Sequence, residues 1–136
     1  MKKTILISVL LLSCTLFYGQ GTSYNLGFSQ VINYEYSSTN VQGYTETTVD
    51  NLIVPADKVW KITSGTIHRN VNGYQETCLL LVNQHSVYQI GAGNYNPKSN
   101  CPIWLSSGNY AVKFANTDNN SQVLNGSISI VEFNIE

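Results

Sequence analysis

Apolar and polar residues alternate with period two along much of this chain, and no segment carries the three-to-four-residue period of an amphipathic helix. In Ile32-Asn33-Tyr34-Glu35-Tyr36 the large apolar side chains take one face and the polar ones the other. Val59-Trp60-Lys61-Ile62-Thr63 repeats the scheme, with Trp60 and Ile62 opposite Lys61 and Thr63, and Tyr110 to Phe114 alternates cleanly. Val, Ile, Thr and Tyr are frequent where Ala, Glu and Lys are scarce, which favours strands. Cys78-Leu79-Leu80-Leu81-Val82 is apolar on both faces and predicts a central strand covered on both sides. Tyr44 to Val49 is Thr-rich and alternates weakly, which predicts a sheet edge or a strand exposed on both faces. From Ser127 to Ile135 the apolar parity changes, and a bulge near Ile130 would reconcile Ile128 and Ile130 with Val131, Phe133 and Ile135.

Turn signals separate these runs. After Leu52-Ile53-Val54, Pro55 fixes φ for the second position of a tight turn and Asp57 takes the fourth, so Asn51 to Gly65 reads as strand, turn, strand with Trp60 pointing inward. Asn72-Gly73 is a strong hairpin signal and Asn83-Gln84 a weaker one. Gly65 marks a bulge or bend. Ser37 to Asn40, Gly91 to Asn100, Ser107 to Asn109 and Asn116 to Asn120 read as polar loops. Eight or nine short strands follow, the pattern of an all-β, two-layer antiparallel β-sandwich. A jelly roll is the leading topology. An immunoglobulin-like sandwich is the alternative, opposed by the lack of a tryptophan between Cys78 and Cys101.

The first residues change the picture of where this domain works. Lys2 and Lys3 precede the short apolar run Ile5 to Leu12, and small Gly19 follows, which predicts a signal peptide over 1–20 cut after Gly19 or Gln20. The alternative takes Leu11-Leu12-Ser13-Cys14 as a lipobox, with Cys14 acylated. Either makes the chain secreted, periplasmic or lipid-anchored, with a single domain over 21–136. The apolar run is shorter than the roughly 20 residues a membrane span needs. Without Lys2 and Lys3, five basic residues face eight acidic ones, a net charge of −3. One arginine and no basic cluster argue against a nucleic-acid partner. The two cysteines of the domain, Cys78 and Cys101, are expected to form a disulfide in an exported protein, worth about 3 kcal/mol in the chain-entropy model. The alternative is a pair of buried thiols.

Two segments carry a resemblance. Val54-Pro55-Ala56-Asp57-Lys58-Val59-Trp60-Lys61-Ile62 resembles a V-P-A-G-K-V-W-K-I segment, with Asp57 where glycine is usual. Ile103-Trp104-Leu105-Ser106-Ser107-Gly108-Asn109-Tyr110 resembles a W-L-x-x-G-x-Y segment. Both are similar to segments of small secreted bacterial β-sandwich proteins of no assigned activity. The resemblance implies a fold and a compartment, and no functional residues.

The inventory for catalysis is thin. His68 and His85 lie on or beside expected strands, with no local nucleophile or orienting carboxylate, although His68 could meet Asp50 or Glu76 in space. Glu35, Glu46, Glu76, Glu132 and Glu136 are scattered, and four of them read as solvent-facing or at strand ends. No nucleophile elbow, phosphate loop or HExxH helix is present, so the expectation is no enzyme and no cofactor. Asn116-x-Asp118-x-Asn120 copies the start of a calcium loop, but Ser121 stands where Gly is required and Ser127 where a Glu belongs, so no metal is expected. Asn119-Asn120-Ser121 and Asn125-Gly126-Ser127 match a glycosylation sequon without bearing on a bacterial chain.

Binding chemistry is better represented. Nine tyrosines and sixteen asparagines supply flat rings and amides, the groups that meet a pyranose on its apolar faces and hydroxyl edges. Asn94, Tyr95, Asn96 and Asn100 share one loop, and Trp104 follows with parity opposite to Ile103 and Leu105. The ligand-binding expectation is therefore Asn94, Tyr95, Asn96 and Trp104; the competing reading puts Trp104 in the core. The leading function is a secreted non-catalytic binding module for carbohydrate or another surface ligand. A structural or adhesive subunit that meets a cell-surface protein through the Tyr44–Val49 edge is the alternative, and a small hydrolase is third. The sequence leaves the oligomeric state open.

Overall fold

Pro55 does turn the chain. In a computed structural model that describes residues 25–69, 77–91 and 97–136, strand β2 (Thr45–Val54) ends at Val54 and β3 (Lys58–Arg69) starts three residues after Pro55. The Lys58 amide donates to Pro55 O at 3.2 Å and closes the turn, so Pro55 stands first in it and Asp57 third, one position earlier than expected. Trp60 and Ile62 then point inward and are buried, so this segment is the corner of a sandwich.

The other strands are β1 (Leu26–Val41), β4 (Cys78–Val82), β5 (His85–Ile90), β6 (Lys98–Ser99), β7 (Ile103–Leu105), β8 (Gly108–Asn116) and β9 (Gln122–Ile135). They form two antiparallel sheets, one ordered β1-β9-β3-β7 and the other β2-β8-β4-β5-β6. If the two-residue β6 is set aside, the remaining eight strands run 1-8-3-6 in one sheet and 2-7-4-5 in the other. That is the order of a jelly roll, in which two Greek keys send nearly every connection across from one sheet to the other. The Thr-rich segment falls within β2, an edge strand as its weak alternation predicts.

The core lies between the layers. Ile62, Ile67, Leu124, Ile128 and Ile130 from the four-stranded sheet meet Leu52, Leu80, Val82, Val87, Val112 and Phe114 from the other. Tyr36 also points inward, its ring edge-on to Phe114 with centroids 6.2 Å apart. Burial pushes the Tyr36 hydroxyl up, and Asp50 and Tyr34 add to the shift. At Gly65 the two sheets approach closely. A Cβ there would lie 2.6 Å from Val87 Cγ1 and 3.2 Å from Leu80 Cδ2, so only glycine fits. The bulge expected beside it falls between Ile62 and Ser64. Asn83 has φ 54°, a left-handed value Asn tolerates, and its Oδ1 accepts from the Ala111 amide at 2.8 Å. This fixes the β4–β5 hairpin at Asn83-Gln84. The Asn72-Gly73 turn lies outside the described residues.

The loop expected at Ser37 to Asn40 is instead a bulged continuation of β1, and three further sequence expectations need correction. β9 itself has no bulge at Ile130: its register with β1 runs unbroken from Ile128 to Glu132, and the shift beside Ile130 in its pairing with β3 puts the extra residue, Thr63, on β3. Instead Ile128, Ile130 and Glu132 face inward while Val131 and Phe133 face outward, because the outer face of this sheet is itself apolar. Glu132, read as a surface charge, is 5% exposed. Its carboxylate accepts from Trp60 Nε1 at 2.8 Å, Ser29 Oγ at 2.9 Å and Gln30 Nε2 at 3.1 Å, with Lys58 Nζ 4.0 Å away. Burial pushes this carboxyl up, but those hydrogen bonds and Lys58 outweigh it and hold it below its ordinary value.

The third correction concerns the expected Cys78–Cys101 disulfide: among the described residues no disulfide forms, with Cys78 buried and Cys101 half-buried. The ladder explains why. β5 lies between the two cysteines, a separation of two strand spacings, about 10 Å. Cys78 pairs with Ile90 whereas the Asn100 amide bonds to Val87 O, about three residues or 10 Å further along. The Cα atoms are thus on the order of 14 Å apart, and a disulfide needs less than about 7 Å. The core closes without the crosslink.

Candidate ligand-binding site

Trp104 is the side chain on which the binding chemistry converges. β7 is the edge strand of the four-stranded sheet and pairs with β3, Lys61 opposite Trp104. Strand parity sends Leu105 inward, 4% exposed, and leaves Trp104 outward, 51% exposed. The reading that Trp104 fills the core does not hold. Its ring leans on Phe133, with centroids 5.6 Å apart, and Lys61 Nζ stands 5.1 Å from the ring centroid. Those contacts fix the indole while half of it stays open.

A cleft of about 560 Å³ opens beside it, within the range typical of small-ligand sites. Trp104, Ile103 and Leu105 form one wall, and Gln84, His85, Ser86, Asn100 and Tyr110 form the rest. Asn100 is held by its Nδ2, which donates to Ser86 O at 3.0 Å. The Tyr110 hydroxyl donates to Ser106 O at 2.9 Å and keeps a lone pair available. The cleft thus offers one large ring, a second aromatic, two amides, an imidazole and hydroxyls. That is the donor, acceptor and ring mixture a polyhydroxylated ring matches. It lies on the side of the sandwich, between the edge of one sheet and strands of the other.

Of the residues predicted for binding, the structure places Trp104 in this cleft; Asn100, from the loop of Asn94 to Asn96 but not among the predicted residues, joins it. Asn94, Tyr95 and Asn96 lie outside the described residues. Gln84, His85 and Tyr110 were not singled out by the sequence. They come from the β4–β5 turn, the start of β5 and β8, so their meeting with Trp104 is a product of the sandwich topology. The only local hint was the tyrosine of the W-L-x-x-G-x-Y segment.

A second, polar groove of about 540 Å³ crosses the outer face of the four-stranded sheet. Glu35 on β1 and His68 on β3 stand at its sides, with Thr66, Asn125 and Ser127 between them. The Thr66 and Ser127 hydroxyls bond each other at 2.8 Å. His68 and Glu35 are both exposed. Among the described residues no hydrogen bond or ion pair to the imidazole is formed, where a general base is ordinarily oriented by a carboxylate. Of the two partners considered for His68, Asp50 sits on the opposite sheet and Glu76 lies outside the described residues.

The calcium-like run is committed to the loop itself. Asn116 Nδ2 donates to Val41 O and Asn120 O, Asn116 Oδ1 accepts from the Asp118 amide, and Asp118 Oδ2 accepts from Gln122 Nε2. Among the described residues, no three His, Cys, Asp or Glu side chains cluster as metal ligands, and no helix is long and apolar enough to cross a membrane. The chain matches no protein-family model and no curated protein.

Proposed function

We propose that this chain is an exported, non-catalytic β-sandwich module that binds a small glycan, or a ligand of the same ring-and-hydroxyl chemistry, in the cleft beside Trp104. The observation that carries this reading is a half-exposed indole fixed by Phe133 and Lys61 at the mouth of a cleft walled by amides and hydroxyls. A pyranose needs both: a flat apolar surface for its C–H face and directional partners for its hydroxyls. Held rings and a hydrogen-bonded Asn100 lower the entropy lost on binding. Export to the periplasm or cell surface follows from the N-terminal pattern.

The test is a glycan screen followed by titration. Trp104→Ala should weaken binding of any hit by about 30-fold or more, as loss of an aromatic anchor does. Equal binding by a folded Trp104→Ala protein would end the reading.

Assembly through added strands at β2 is less well supported. β2 is a ten-residue edge, but a register shift between Thr48 and Asp50 interrupts it. Glu46 is also tied to Lys113 at 2.8 Å. Bulges and charges of this kind blunt an edge against a further strand.

A further inference from the structure

The outer face of the four-stranded sheet is unusual for a surface open to water. Strand register aligns Phe28 with Phe133 and Val59, and Val31 with Val131, Lys61 and Trp104. Phe28 is 65% exposed and Val31 57%. Beyond this apolar half the outward positions turn to small uncharged residues, among them Asn33, Ser129 and Thr66. Among the described strand residues, only Lys61 and Glu35 put a charge on this face. Surfaces that meet only water carry far more charge than this, and contiguous apolar patches of this kind mark contacts.

We infer that this face is where a second copy of this chain docks, sheet against sheet. Area argues for that occupant. Strands of 16, 14 and 12 residues plus the three-residue β7, at about 3.3 Å per residue and 4.8 Å between strands, span about 700 Å². A stable interface takes about 800 Å² from each partner, so the face is close to the size of one half of a dimer. It is also self-complementary. A two-fold axis along the strands, between β9 and β3, sets β7 of one copy over β1 of the other. Trp104 then covers the Val31 and Phe28 side of its mate, apolar half meets apolar half, and the two Lys61 side chains do not meet. The ligand cleft, on the side of the sandwich, lies at the perimeter, where its Trp104 wall is shared with the interface. The inference rests on the face and not on the glycan reading.

Light scattering coupled to size-exclusion chromatography over a wide concentration range tests it. The wild-type protein should run at a multiple of its chain mass. Phe28→Glu and Val31→Glu should each bring it to the mass of one chain, weakening association by about 30-fold or more. Far-UV circular dichroism should be unchanged. Ile53→Glu, at an exposed apolar position on the other sheet, should leave the multiple intact. Should either Glu variant misfold, Phe28→Ser and Val31→Ser, which remove the apolar groups without adding charge, are read in its place. A wild-type protein of single-chain mass throughout overturns the inference. So does an oligomer that survives the substitutions at Phe28 and Val31. Glycan binding by the Phe28 variants is scored separately, so loss of association and loss of the ligand site are told apart.

Discussion

Glu132→Leu tests the least expected feature of the core. The substitution keeps the volume and removes an acceptor used by three side-chain donors. Ser29 and Gln30 are partly or fully exposed and can turn to water. Trp60 cannot: it is 4% exposed, and its indole N–H would be left buried without a partner. An unsatisfied buried donor costs about 1–3 kcal/mol, and hydrogen bonds to a charged acceptor are at the strong end. Lys58 also loses its carboxylate at 4.0 Å. We expect a loss of about 3 kcal/mol, or roughly 12 °C in Tm for a domain of this size. Glu132→Gln keeps one acceptor oxygen and should lose about 1 kcal/mol.

The same carboxyl gives this experiment a pH signature. Its folded-state pKa lies below the ordinary value of 4.5. Its ionised form therefore stabilises the fold above that ordinary value, and the contribution is lost as pH falls through the lower, folded-state value. Urea melts of the wild type and Glu132→Gln should differ at pH 7 and converge below pH 4.5. A Leu variant as stable as wild type, or a gap to Gln that does not change with pH, would refute the reasoning.

Two further outcomes follow from the packing. Gly65→Ala should lower stability by about 1–3 kcal/mol in a thermal or urea melt, since the new methyl meets Val87 and Leu80 across the layers. Reducing agent should leave Tm unchanged, and the unfolded, unreduced domain should alkylate at both Cys78 and Cys101; a fall near 10 °C on reduction would instead reveal a crosslink of about 3 kcal/mol.

Much of the fold could be read from residue order because period-two patterning and turn chemistry are local. Pro55 and Asn83 sit at turns, and Trp60, Ile62, Tyr34 and Tyr36 fall on the side their parity assigns. The errors share one cause. Parity tells which residues share a face but not which face is wet. In β9 both sets are apolar, so Val131 and Phe133 looked as if they belonged inside. Glu132, between them, looked like the surface residue, although its partners Trp60 and Ser29 lie 72 and 103 positions away. The disulfide failed similarly: compartment and count supported it, but the interposed β5 strand is a matter of topology. Parity set Trp104 opposite Ile103 and Leu105 but left open whether its ring was core or exposed, which the sheet order decides. Gln84, His85 and Tyr110 were not legible, since only the sandwich brings those three segments together.

The strand order also dictates a schedule. Among the described residues, β1 and β2 are edge strands whose only ladder partners are β9 and β8, with Leu26 opposite Ile135. No hydrogen-bonded neighbour for either exists until residues 108–135 have been synthesised. Contacts that distant in sequence close slowly. The first thirty residues of the domain must therefore wait, unzipped, for the last thirty. Such a chain stays threadable until its translation is nearly complete, which is the condition a protein needs if it is to cross a membrane before it folds.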